Sequence, residues 1–532
     1  MRSHLGRRLL PVTGLLTAAL TLGSLAAPAG AAIGNPDPTA PSAGAPAEST
    51  DAATAALDQV QELLEPGAPG TARRTRAETR AGTKADASGR DLTMALRELR
   101  LRMDDLSAVD RAAARRATRR PQADVFRDFG SVRVHWMSHD TDVTDKWVAR
   151  VGRVVNHVFS TYSGAGFRAP KPDGAGVAVG GGTNLFDIYL VDFGAEQQFG
   201  LYGYCDTDVD PAPAGPYDAS AFCAFDHTFA DFPRTRIANL KVTAAHELFH
   251  AVQFAYDYNE DAWFMEATAV WAEDEVYDRI NDNLQYLAES PLRQPRQPLD
   301  QFGDGLRQYG EWIFFRYLSE RFPKARGGMP TIVRKMWERV DGSSGGPDDY
   351  SIEAVEHELE RRGTDLRRAF ARFADANRRP HRTYEEGSSY RRAPARGHTF
   401  TRKDHDTGWR HTRVDHLAST TFAVRPTAGL KQRHLRVDVD LPAKRRGSAA
   451  VLTWYNHQGR AHRTMVRLAK DGTGTATVRF GARRVSRVDM TLSNASTRFR
   501  CWRGQIDGIE YSCRGVPRDD RKKMQYRIRA VR

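Results

Sequence analysis

Val242-Thr243-Ala244-Ala245-His246-Glu247-Leu248-Phe249-His250-Ala251-Val252-Gln253 is the stretch on which the reading of this 532-residue chain turns. Apolar side chains dominate it and neither Gly nor Pro interrupts it, so it is predicted to be helical and largely buried. On a helix His246 and His250 stand at i and i+4 on one face, where two imidazoles can reach a single tetrahedral metal. Glu247 then points beside the metal, the place for a general base that takes a proton from a metal-activated water. The plainer alternative is an amphipathic helix whose histidines are satisfied by hydrogen bonds within a core.

A second apolar, helix-prone run follows, Trp263-Phe264-Met265-Glu266-Ala267-Thr268-Ala269-Val270-Trp271-Ala272-Glu273-Asp274-Glu275. Glu266 lies in its most hydrophobic part, where an unpaired carboxylate is costly and a cation removes the cost. Glu273 is two helical turns further on, shares a face with Glu266, and could hold a liganding imidazole from behind. Asp274 and Glu275 read as a solvated helix end.

Together these runs resemble the gluzincin metallopeptidases, the group of thermolysin and the zinc aminopeptidases. The chain is most similar to a set of secreted bacterial metalloprotease-like proteins with an added C-terminal β domain. Phe186-Asp187-Ile188-Tyr189-Leu190 and Tyr309-Gly310-Glu311-Trp312-Ile313-Phe314 extend the resemblance over roughly residues 126 to 380. It implies an α+β fold in which a zincin-like catalytic domain (126–377) precedes an antiparallel β-sandwich. It also implies Zn2+ held by His246, His250 and Glu266, with Glu247 catalytic. Tyr309 falls where similar families carry a tyrosine facing the metal, so it is expected to donate to the oxyanion; its alternative is a core tyrosine. The spacing from His250 to Glu266 is shorter than in thermolysin-like enzymes, and Ala267 replaces the glycine common in the aminopeptidase branch.

The chain opens with Arg2, Arg7 and Arg8, an apolar Leu9 to Leu25 and then small residues to Ala32, which reads as a secretory signal peptide over 1–32. No other run is long enough to cross a membrane, so a released, extracellular protein without a transmembrane anchor is expected. Residues 33–125 form an N-terminal extension: Ala/Pro/Gly/Ser-rich and expected to be disordered to about 87, then helical from Asp91 to Arg119. That helical part is either a propeptide that keeps the site closed or an extension packed on the catalytic domain. Gly174 to Gly182 precedes a strand and lacks the Lys-Ser/Thr of a phosphate loop. Ala219 to Phe225 is expected, by analogy, to be the sheet edge along which zincins lay an extended substrate.

Four cysteines fall in two local pairs, Cys205 with Cys223 and Cys501 with Cys513, the pattern of two disulfides in a secreted protein. Residues 378–412 read as a linker, and from 413 to 532 alternating strands broken by Gly, Asn and Pro suggest a β-sandwich. Charge is divided unevenly. Residues 378–532 hold 36 Lys and Arg against 13 Asp and Glu, a balance of +23, and since the whole chain is +13 the remainder stands at −10. Such a basic region suggests attraction to an anionic surface, whether an anionic cell-surface polymer, a membrane face or nucleic acid, although its arginines fall mostly at the polar positions of alternating strands, as in a merely soluble domain; no nucleic-acid fold or stacking pattern accompanies it, so no specific nucleic acid is expected.

The function expected from these features is a secreted zinc-dependent endopeptidase acting on protein or peptide substrates. Two rivals remain open. One is a zinc aminopeptidase; the other is a surface- or cell-wall-binding protein whose metal site is structural or inactive.

Overall fold

The structure is a computed structural model that describes residues 46–64, 92–174, 182–194, 200–210, 214–303, 305–505 and 508–532. The signal-peptide stretch and most of Gly174–Gly182 lie outside the described residues. The architecture mixes helices and sheets in the α+β manner.

Among the described residues α1 (Pro46–Leu64), α2 (Leu92–Leu101) and α3 (Ala108–Ala117) come first, the last capped by the Ser107 side chain accepting from Asp110 N. Part of the stretch expected to be disordered is therefore ordered in α1. Ala53, Ala56, Leu57 and Val60 lie at i, i+3, i+4 and i+7, a stripe narrow enough to pass for low complexity yet able to pack.

The first sheet has the order β1-β2-β3-β5-β4, built from β1 (Val125–Phe129), β2 (Val132–Trp136), β3 (Phe186–Val191), β4 (Gly203–Asp206) and β5 (Phe222–Asp226). Strands β2, β3 and β5 run parallel, while β1 and β4 are antiparallel to their neighbours. The helix between β2 and β3, α4 (Asp145–Ala165), is capped by Thr144 and ends on Gly166 at φ 87°, a left-handed turn that a glycine enters without strain.

Alternation along the central strands sends side chains into two cores. Ile188, Leu190, Cys223 and Phe225 face α4 and α5 (Arg236–Phe254), whereas Tyr189, Val191, Phe222 and Ala224 face the N-terminal helices. A sheet covered on both faces explains why β3 and β5 read as continuous apolar runs.

The sheet order also corrects the expected substrate edge. β5 is interior, hydrogen-bonded to both β3 and β4, so the edge beside α5 is β4. Cys205 of β4 stands directly opposite Cys223 of β5, and the two are bonded as a disulfide.

Behind α5 lies α6 (Ala262–Tyr277), whose residues from Ala262 to Asp274 are all buried. A helix apolar around its whole circumference belongs at the centre of a domain. Around it stand α7 (Arg307–Gly310), α8 (Trp312–Arg321), α9 (Thr331–Trp337), α10 (Ser351–Arg361) and α11 (Leu366–Ala376), with a two-residue ribbon of β6 (Ala325–Arg326) and β7 (Met329–Pro330).

The C-terminal strands form two further sheets. One has the order β13-β12-β15-β10-β8 and the other β14-β11-β18-β9. The strands are β8 (Arg396–Phe400), β9 (Arg410–Val414), β10 (Ala418–Pro426), β11 (His434–Asp440), β12 (Ser448–Tyr455), β13 (Ala461–Met465), β14 (Thr473–Arg479), β15 (Arg487–Asn494) and β18 (Lys522–Val531). Between β15 and β18 the ribbon of β16 (Phe499–Arg500) and β17 (Val516–Pro517) carries the loop closed by the Cys501–Cys513 disulfide. Phe422 and Met490 from one sheet and Val437 and Ile528 from the other share a single apolar core.

The segment 378–412 is not a linker. It contributes β8, parallel to β10, and Arg378 forms a buried ion pair with Asp489 of β15. Its arginines and small residues read as a tether because the partners that bury them lie about a hundred positions away. Asp375 of α11 binds Arg379 and Arg463 and accepts from Thr453, fastening the helical region to the β13-β12-β15-β10-β8 sheet.

Candidate metal centre

Helix α5 begins at Thr235, whose side chain accepts from Ala238 N, and every residue from Val242 to Phe254 is buried. It packs along α6, and this pairing brings His246, His250 and Glu266 together, with one donor atom of each within 4.8 Å of the others. His246 Nε2 and His250 Nε2 are 3.1 Å apart. Glu266 Oε2 is 3.2 Å from the first and Glu266 Oε1 is 3.6 Å from the second. Donors about 2.0–2.1 Å from a tetrahedral zinc stand roughly 3.3 Å from one another, so this triangle has the size of one face of a zinc tetrahedron.

The outer nitrogens fix the direction in which the lone pairs point. His250 Nδ1 meets Gln253 Oε1 at 2.7 Å, while Gln253 Nε2 donates to Met265 O at 2.9 Å and to Thr268 Oγ1 at 3.1 Å. That amide orientation makes Gln253 Oε1 an acceptor, so Nδ1 of His250 carries the proton and Nε2 presents a lone pair. Glu273 Oε1, 2.6 Å from His246 Nδ1, sets the other ring in the same way.

Two lone pairs and a fully buried carboxylate therefore face one small volume, and Glu266 Oε1 makes no hydrogen bond. A bound cation would satisfy that oxygen and both Nε2 atoms, and without one a protonated His246 meets the Glu266 charge. The donor set of two imidazoles and a carboxylate fits a divalent transition metal.

The ionisation of the group follows the same logic. Burial pushes His250 down to about 4. Burial would lower His246 too, but its hydrogen bonds with Glu266 and Glu273 outweigh that and hold it well above its ordinary value. Burial raises Glu247 to about 7, against the opposing pull of His246, which leaves a carboxylate poised to exchange protons near neutrality.

A cavity of about 40 Å³ adjoins the centre, lined among others by His246, Glu247, Tyr202 and Tyr309. The Tyr309 ring lies 6.1 Å from the His246 ring and stacks on Tyr286 at 5.1 Å. Two residues at the centre had no place in the reading of the sequence. Gln253 was within reach, being one turn past His250 on the same face. Thr93 was not: its hydroxyl donates to Glu247 Oε2 at 3.0 Å across a separation of 154 residues, which no local pattern encodes.

A second group, Asp349 just before α10 with Glu353 and His357 on it, also comes together. The Arg339 guanidinium already sits on it, donating to Asp349 Oδ2 at 2.6 Å and lying 3.0 Å from His357 Nδ1.

No protein-family model matches the sequence, and no characterised protein aligns with it significantly. Among solved structures, a family GH115 4-O-methyl-α-glucuronidase with specificity for decorated arabinogalactans aligns at 10% identity over 57% of this chain and 34% of its own. The TM-score of that alignment is 0.13, far below the level at which two folds correspond. Both disulfides pair as the spacing of the cysteines suggested, and among the described residues no helix is long and apolar enough to cross a membrane.

Proposed function

We propose that the chain is a secreted zinc-dependent endopeptidase of the gluzincin type, a zincin-like domain followed by a C-terminal β-sandwich. The observation that carries this reading is the triangle of His246, His250 and Glu266 donor atoms, sized for a tetrahedral ion, with Glu247 next to it on the same helix. Zinc held there by His246, His250 and Glu266 would supply Lewis acidity.

The remaining work falls to the chain. Glu247 takes a proton from the attacking water and returns it to the leaving amine, a task suited to a carboxylate that titrates near 7. Tyr309, at the cavity wall, donates to the oxygen on which negative charge develops. Glu273 and Gln253 keep both imidazoles turned toward the ion. The edge strand β4 offers main-chain groups along which an extended peptide can lie. The two disulfides and the apolar N-terminal stretch after Arg8 support an extracellular location.

Glu247→Gln tests the reading. It should leave zinc content unchanged while lowering casein hydrolysis at least a hundredfold. A variant that cleaves casein as fast as the parent refutes the mechanism. A surface-binding protein with a structural metal is the second reading, favoured by the strongly basic 378–532 region and the small size of the cavity. Zinc in the parent without any chelator-sensitive proteolysis, together with binding to anionic wall polymer, supports that alternative.

A further inference from the structure

We infer that α2 is a built-in inhibitor of the metal centre, lying in the groove along β4 that a peptide substrate needs, with Thr93 bonded to the general base. The inference rests on the endopeptidase reading and concerns the regulation of that site.

Space gives the first argument. The cavity beside Glu247 measures about 40 Å³, little more than one water at roughly 30 Å³ in the liquid, whereas sites for organic ligands run to about 300 Å³ or more. α2 packs along β4 beside it, and Thr93 reaches Glu247, one of the residues that line it. Leu92, Thr93, Met94, Ala95, Leu96, Arg97, Leu99 and Arg100 are all buried, a pattern foreign to a helix lying on a surface.

Hydrogen bonding gives the second. Strand addition to β4 requires its outward main-chain donors. The Cys205 N–H is already spent on Thr93 Oγ1 at 3.0 Å, and the same hydroxyl donates to Glu247 Oε2. One side chain thus fills the position of a substrate carbonyl and occupies the oxygen that must accept a proton.

The anchoring gives the third. Arg97 donates to the main-chain carbonyls of Tyr258, at 2.6 Å, and Glu260. Arg100 pairs with Asp206 at the end of β4 at 2.7 Å, and Glu98 pairs with Arg514 of the C-terminal loop at 3.1 Å. Hydrolysis after Arg116 or Arg119, both exposed at the end of α3, frees everything before it. Arg120, held by Asp173, Asp187 and Asp208, stays with the main body, so the boundary falls just before it.

The test uses the chain from residue 33 onward with a site-specific protease recognition sequence inserted between Thr118 and Arg119. Three quantities are followed before and after cutting and gel filtration: casein hydrolysis, the rate at which a chelator strips bound zinc, and amide exchange at Cys205. Cutting should raise all three at least tenfold, and adding back the released fragment should reverse the rise. Equal Cys205 exchange and equal zinc stripping in intact protein and fragment-free cut protein overturn the inference. Faster exchange and stripping without any hydrolysis uphold the covering role and instead refute the endopeptidase reading. Because cutting bares an apolar sheet face that promotes aggregation, Arg100→Ala in the uncut chain provides a second measure. It should speed Cys205 exchange at least tenfold while leaving strand β12 amides unchanged, and an unchanged Cys205 rate again counts against the inference.

Discussion

His416 supplies a stability switch that can be read from pH alone. It is fully buried where the helical region meets the strands, with Nε2 2.9 Å from Asp300 Oδ1 and Nδ1 3.0 Å from Asp520 Oδ1. Burial works against its charge, but the two carboxylates prevail and raise it from the usual 6.5 to about 9. At about 1.4 kcal/mol per pKa unit, the protonated ring contributes about 3 kcal/mol to folding. A pKa raised on folding means that this contribution is complete below pH 6.5, shrinks above it, and is gone once the pH passes about 9. The assay is urea unfolding followed by tryptophan fluorescence from pH 6 to 10, on the parent and on His416→Gln, which cannot ionise. The difference between them should fall by about 3 kcal/mol across that range. Parallel parent and variant profiles refute the buried ion-paired histidine, whatever other groups titrate in the same window.

Further outcomes follow from other contacts. Glu273→Ala removes the carboxylate behind His246 and should weaken zinc binding about 10- to 100-fold, measured by competition with a chromophoric chelator. Replacing Cys205 and Cys223 together by Ser opens a loop with a sequence separation of 18 and should cost about 3 kcal/mol in urea unfolding. Asp375→Ala leaves Arg379 and Arg463 without their shared buried partner and should destabilise the chain by about 3–5 kcal/mol; a loss below 1 kcal/mol contradicts the role given to that carboxylate.

What could be read from the sequence follows a physical division. Helix geometry alone put His246 with His250, and Glu266 with Glu273, on one face of each helix, whereas the meeting of those two faces was implied by the resemblance. The longer C-terminal strands were legible for a similar reason, since alternation is a local property. The substrate edge was misplaced because strand order is tertiary: the apolar run of β5 looks the same at an edge as in a sheet interior. Residues 378–412 looked like a tether because arginine reads as solvent-facing until its carboxylate is known, here Asp489 for Arg378. The helical character of residues 91–119 was visible, but the bond from Thr93 to Glu247 joins two segments that share no local pattern.

The central claim is that one divalent ion sits between two imidazoles and one carboxylate. Metal analysis by mass spectrometry on the purified parent, His250→Ala and Glu266→Ala tests it most directly. About one zinc per parent chain, with almost none in either variant, is the expected result. A parent that binds no metal after zinc loading, or a Glu266→Ala variant that keeps its full complement, contradicts the account.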